Sequence, residues 1–135
     1  MAGDLTVPTV RIDDEVAPPV RLIKIDVEGA EPDVLAGMCN LIGSMRPDAE
    51  IVVELSPRWW PDPQLRPLDV LQPFIEAGFN VYKMKNSYSA WRYLWPNQVN
   101  DAVRLRSPLT RRVPRLDLVL SRHDSDRLAI ETPSM

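Results

Sequence analysis

The sequence of 135 residues has few of the side chains that usually build metal sites and nucleophile sites. It contains one cysteine, Cys39, and one histidine, His123. This excludes a disulfide within the chain and a metal cluster built on cysteine. A histidine-rich zinc site and a Ser/His triad are not expected either. The five glycines are at least six residues apart, so no G-x-G pattern is present to let a backbone approach a nucleotide closely.

The sequence also lacks a net positive charge and long apolar runs. The formal net charge is -3 and the pI is near 5.1, which argues against a nucleic-acid partner. No apolar run reaches the length of a membrane span, and no membrane association is expected. The N-terminal "MAGDLTVPTV" is acidic where a signal peptide would be basic, so a cytoplasmic location is predicted.

The hydrophobic pattern predicts one α/β domain over residues 1–135. After a short strand or extended arm at 9–16, strands and helices alternate before a long connection at 86–114, a last strand and a loose tail at 122–135. This alternation is typical of an α/β fold with a largely parallel sheet and both helices on one face. The strands are predicted at 22–27, 49–57, 79–85 and 115–121, and the helices at 31–42 and about 67–77.

Pro73 lies inside the second predicted helix, where proline removes a hydrogen bond and clashes with the preceding turn. The helix is therefore expected either to be kinked or to start later.

Three carboxylates follow two of the predicted strands. Asp26 and Glu28 end the first, and Glu54 ends the next. Ligands of open α/β sheets bind beyond the carboxyl ends of strands, so these side chains could meet around one crevice. The alternative is a solvated polar strand face next to an acidic helix start. Hard cations prefer oxygen ligands, but no metal is predicted here.

The segments "LIKIDVEGAEPDVLAGM" and "EIVVELSP" resemble the FkbM-type family of S-adenosylmethionine-dependent methyltransferases. Residues Lys24 to Glu31 match the family block Lys-Ile-Asp-Val-Glu-Gly-Ala-Glu without a mismatch. Leu35 and Gly37 match the helix that follows, and "TVRIDDEV" resembles the Leu-Asp segment upstream, with Asp13 at the Asp position. The resemblance extends from about residue 9 to residue 79.

The resemblance implies a partial Rossmann-like class I methyltransferase sheet, strands four to seven of the fold, with flanking helices. It implies S-adenosylmethionine as cofactor and methyl transfer to oxygen of a small molecule or sugar. Asp26 is then expected near the transferred methyl, with Glu28 and Glu54 as further catalytic candidates and Lys24 as a salt-bridging residue at the substrate. No cofactor-binding residue is assigned, because the family's Gly-rich loop belongs upstream of the matched segments. The chain is therefore expected to be incomplete or inactive alone.

Several features keep alternatives open. Trp59, Trp60 and Trp91 could form an acceptor pocket, or they could pack the loops against the core. The basic run from Arg104 to Arg115 could receive an anion or be a solvated loop.

The whole chain could instead be a non-catalytic binding or scaffold module, or a partner subunit. The resemblance also leaves the strand at 22–27 without its usual neighbour. An exposed sheet edge pairs readily with another chain, so a homodimer or a complementing chain is expected at Leu22–Val27.

Overall fold

The computed structural model of the protein describes residues 6–84, 102–106, 109 and 113–128. Successive side chains of a strand point in turn to the core and to solvent, so alternating apolar residues indicate a strand. The strands are β1 Leu22–Ile25, β2 Glu50–Leu55, β3 Asn80–Met84, β4 Ala102–Arg104, β5 Leu116–Ser121 and β6 Arg127–Leu128.

The sheet is mixed, and the prediction of a largely parallel sheet was wrong. The spatial order is β1-β2-β5-β3-β4-β6, and only β1 and β2 pair in parallel. The remaining pairs are antiparallel, because β5 enters between β2 and β3 in the opposite direction. β4 and β6 then extend the sheet in antiparallel pairs. Neither of these short strands was predicted; β4 falls in the expected long connection and β6 in the expected tail.

The first predicted helix is shorter than expected. α2 spans Glu31–Ala36, and a separate 3₁₀ helix, η1, follows at Leu41–Ser44. The N-terminal arm explains the break. The Asp13 backbone N–H donates to the Gly37 carbonyl, and the Asp13 carboxylate accepts from the N–H groups of Asn40 and Leu41. These bonds replace those that a continuous helix would make.

The arm itself is not a strand, which corrects the prediction for residues 9–16. Residues Ile12–Glu15 form a single helical turn, α1. Its Asp13 side chain is 4% exposed, although Arg11 pairs with it from solvent at 3.1 Å. The arm is thus fixed through one carboxylate at the end of α2.

The second predicted helix is observed as α3, Pro67–Glu76. It starts at Pro67, so the alternative of a later start was wrong. Pro73 lies within it, and its ring is exposed. Leu71 and Phe74 face inward and are fully buried. A second 3₁₀ helix, η2, spans Pro57–Trp59 between β2 and α3.

The main core lies between α2, α3 and one face of the sheet. Ala49 and the inward residues of β2, Ile51, Val53 and Leu55, are completely buried, as their alternation predicted. Leu35 of α2 and the two inward residues of α3 belong to the same cluster, so both helices cover one face. A smaller cluster on the opposite face contains Tyr82, Ala102 and Val119. In the described ranges, no helix is long and apolar enough to cross a membrane.

Candidate functional site

A cleft lies on the sheet face opposite the two helices, beside the carboxyl ends of β1 and β2. Its volume is about 250 Å³. Asp26 and Glu54 both line it, so the structure brings two of the three predicted carboxylates together. Glu28 is not among its lining residues. The side chains around the cleft are Lys24, Ile25, Asp26, Val52, Val53, Glu54, Met84, Arg115 and Asp117.

Lys24 and Asp26 form an exposed ion pair at one wall of the cleft. They are two residues apart on one strand face, and Nζ of Lys24 lies 2.8 Å from Oδ2 of Asp26. The hydrogen bond from Lys24 lowers the pKa of the Asp26 carboxyl, and the same bond raises the pKa of Lys24. A carboxylate with a lowered pKa stays ionised, so it can accept a hydrogen bond, but it is a weak proton acceptor. Asp26 is therefore suited to orient a hydroxyl group.

Glu54 and Asp117 form the second wall together with Arg115. Glu54 and Asp117 are register partners on β2 and β5, which places both carboxylates on the same face. The Arg115 guanidinium donates to Glu54 and lies 4.0 Å from Asp117. Both carboxylate side chains are 13% exposed. From the sequence, Arg115 belongs to a basic run that could receive an anion, but its pairing with Glu54 was not predicted, because Glu54 is 61 residues away.

The turn after β1 packs closely against Trp59 of η2. Glu28 and Gly29 have φ angles of 32° and 103°, a left-handed backbone that glycine adopts without strain. A Cβ on Gly29 would lie 2.9 Å from the Cβ of Trp59. Gly29 therefore leaves room for Trp59, and Glu28, in the same turn, does not line the cleft.

Glu31 is a fully buried carboxylate at the start of α2. Its Oε1 accepts from the Gly29 N–H at 2.9 Å, and its Oε2 accepts from the indole N–H of Trp60 at 2.8 Å. Buried polar groups are normally satisfied in this way. Glu31 thus joins the turn after β1 to the loop after β2.

The three predicted aromatic site residues have different positions. Trp60 is 4% exposed and belongs to the main core, which favours the alternative of a structural role. Trp59 is 59% exposed, with the Arg58 guanidinium 4.7 Å from its ring centroid, so it can contact a ligand. Trp91 lies outside the described residues.

The arrangement can bind a small polar molecule. It offers carboxylate acceptors, a lysine ammonium and a guanidinium around one opening at the ends of parallel strands, the usual ligand position in open α/β sheets. No group of three or more His, Cys, Asp or Glu in the part of the chain that is described could hold a metal ion. The molecule is thus an α/β domain with a polar cleft at the carboxyl ends of β1 and β2.

The comparisons with known proteins identify the family. The sequence model of the methyltransferase FkbM domain matches residues 2–92 of this chain. The chain belongs to the FkbM methyltransferase domain family. The match includes β1 to β3 and therefore Asp26 and Glu54, whereas Arg115 and Asp117 lie beyond it. No curated protein and no solved structure gave a significant match.

The described residues do not fit S-adenosylmethionine, the cofactor that this family generally uses. A cofactor cradle needs a backbone that a ligand can approach closely, normally at glycine. The glycine after β1 meets Trp59 instead. The described part of the chain also places no strand on the outer side of β1. The cleft has acceptor-type polar groups without an adjoining cradle.

Proposed function

We propose that this chain is the acceptor-binding part of an S-adenosylmethionine-dependent O-methyltransferase of the FkbM family. The observation that supports it is the position of Asp26. This residue belongs to the block that resembles the family, and it lines one cleft with Glu54 at the carboxyl ends of β1 and β2. β1, β2, β5 and β3 would then correspond to strands four, five, seven and six of the complete fold.

The acceptor is a small hydroxyl compound such as a sugar. The cleft of about 250 Å³ is near the lower end of ligand pockets, which start at roughly 300 Å³, so it suits a single ring. Asp26 accepts a hydrogen bond from the acceptor hydroxyl and orients its oxygen. Lys24 holds the Asp26 carboxylate, and Arg115 holds Glu54. Alignment of this kind supplies much of the catalysis in reactions that need accurate placement of the reactants.

Acceptor binding can be tested directly by saturation-transfer NMR with a panel of methyl glycosides. We expect at least one glycoside to bind the intact chain, and Asp26→Asn and Glu54→Gln to weaken it about tenfold, because each removes a charged hydrogen-bond acceptor. Asp14→Asn, at an exposed position on α1, is the matched control and should bind like the unchanged chain. Equal binding by all four proteins would refute the assignment of the cleft.

Cofactor binding is tested by calorimetric titration of S-adenosylhomocysteine into the chain. We expect no saturable binding at micromolar ligand, because the described residues form no cradle. Clear binding would show that the chain carries a complete cofactor site and would refute its description as one part of the enzyme.

The second candidate function is a non-catalytic binding or scaffold module derived from a methyltransferase. The observation that favours it is that, among the described residues, no strand lies on the outer side of β1, where the resemblance places the cofactor-binding part. If no glycoside and no S-adenosylhomocysteine bind, this candidate replaces the first.

A further inference from the structure

The outer edge of β1 is open in the described part of the chain. β1 is the terminal strand of the sheet, with a hydrogen-bonded neighbour on one side only. Exposed apolar side chains accompany this edge: Leu22 begins the strand, Val27 follows it, and Trp59 packs against the turn beyond it. Edges of this kind are templates for pairing with a further strand.

The direction of the β1 backbone groups follows from its pairing with β2. The Glu50 N–H donates to the Arg21 carbonyl at 2.8 Å, which directs Arg21 toward β2. Because backbone groups alternate along a strand, Ile23 and Ile25 also point toward β2, and Lys24 and Asp26 point outward. The outward hydrogen-bonding groups of the edge thus belong to Leu22 and the two charged residues.

We propose that a second copy of this chain pairs with β1 in antiparallel fashion, across a two-fold axis that passes beside Ile25. In this register Lys24 lies opposite Asp26 of the second copy, and Asp26 lies opposite Lys24 of the second copy. Both are hydrogen-bonded pairs, which exchange two backbone bonds each. The interface is isologous, as in most homodimers. This goes beyond the proposed methyltransferase function and does not depend on it.

Charge selects this register over its neighbours. A shift of the pairing in one direction would place Lys24 opposite Lys24, and a shift in the other would place Asp26 opposite Asp26. Like charges directly opposite each other destabilise a strand pair, and opposite charges stabilise it. A slip of a single residue would set polar side chains against the apolar face. Lysine on an edge strand normally blocks association, but here an aspartate faces it.

The existing ion pair is compatible with the dimer. Lys24 already contacts Asp26 at 2.8 Å within the chain, and both side chains remain accessible. In the dimer each lysine would have one aspartate along its own strand and one across the axis. Charges would therefore alternate in both directions over four residues. On the other face Ile23 would approach Val27 of the second copy, covering apolar surface.

The test uses sedimentation equilibrium of the full chain and two charge reversals. We expect the unchanged chain to dimerise at tens of micromolar. Lys24→Asp places two carboxylates opposite each other at both positions, and Asp26→Lys places two lysines there. Each variant alone should dimerise at least about tenfold more weakly than the unchanged chain. An equimolar mixture of the two variants should recover the dimer, because both facing pairs of the mixed dimer become opposite in charge. Circular dichroism establishes that both variants are folded.

Lys83→Asp is the matched control, since Lys83 is an exposed lysine on an inner strand. It makes the same charge change and should leave the dimer intact. A monomeric unchanged chain would overturn the proposal and assign the edge to a different occupant. A dimer that survives both single reversals, or a mixture that stays monomeric, would overturn the register.

Discussion

Glu31→Gln tests whether the buried carboxylate at the start of α2 holds the turn after β1 in place. Glu31 accepts two hydrogen bonds, from Gly29 and from Trp60, at 2.9 and 2.8 Å. Glutamine keeps one acceptor oxygen but turns an NH₂ group toward the second donor, so one bond is lost and one buried N–H is left unsatisfied. Such a loss costs about 1–3 kcal/mol. We expect urea denaturation to show a free energy of unfolding lower by about 2 kcal/mol.

Asp33→Asn is the control for this experiment. Asp33 is an exposed carboxylate in the same first turn of α2, so its substitution removes the same helix-dipole interaction without a buried bond. We expect its effect to stay within about 0.5 kcal/mol. Trp60→Phe should couple with Glu31→Gln by about 1 kcal/mol in a double-mutant cycle. An effect of Glu31→Gln no larger than that of the control would refute the reasoning.

Three further predictions concern other parts of the fold. Gly29→Ala should lower the free energy of unfolding by about 1–3 kcal/mol in urea, because it strains a left-handed residue and meets Trp59 at 2.9 Å; no loss would contradict this. Tyr82→Phe should cost about 1–2 kcal/mol in the same assay, because the Tyr82 hydroxyl donates to the His123 carbonyl at 2.6 Å. A hydrogen bond from a neighbouring arginine lowers the pKa of Asp48 to about 2. The stability that this hydrogen bond contributes is full above the ordinary carboxyl pKa of about 4 and is lost as pH falls toward 2. In Asp48→Asn, the urea midpoint should therefore change less with pH between these two values than in the unchanged chain.

Elements with a clear apolar period were predictable from the sequence. β2 and α3 each bury one face. The strict alternation of β2 and the spacing of Leu71 and Phe74 in α3 are local patterns that predict this burial. The short α1 was not predictable, because Asp13 makes its bonds with residues that lie 27 and 28 positions away. β4 and β6 have three and two residues, and pairing rather than local pattern creates them.

The candidate site was predictable where strand ends alone decide it. Asp26 and Glu54 lie at the carboxyl ends of adjacent parallel strands, and this places them at one cleft. Glu28 follows Asp26 by two residues, but the left-handed turn moves it away, which alternation cannot show. The contact of Arg115 with Glu54 depends on the β2–β5 register, and only the folded chain establishes that register.

The central position of β5 has a consequence for how this chain acquires its structure. β2 and β3 are neighbours in sequence, yet both hydrogen-bond to β5, whose residues 116–121 come much later. During synthesis, β2 and β3 therefore cannot be joined into one sheet until β5 has been made. Native contacts of long sequence separation slow folding. Most of this domain would leave the ribosome before β5 can pair with β2 and β3, and the strand edges that β5 covers stay unpaired until then.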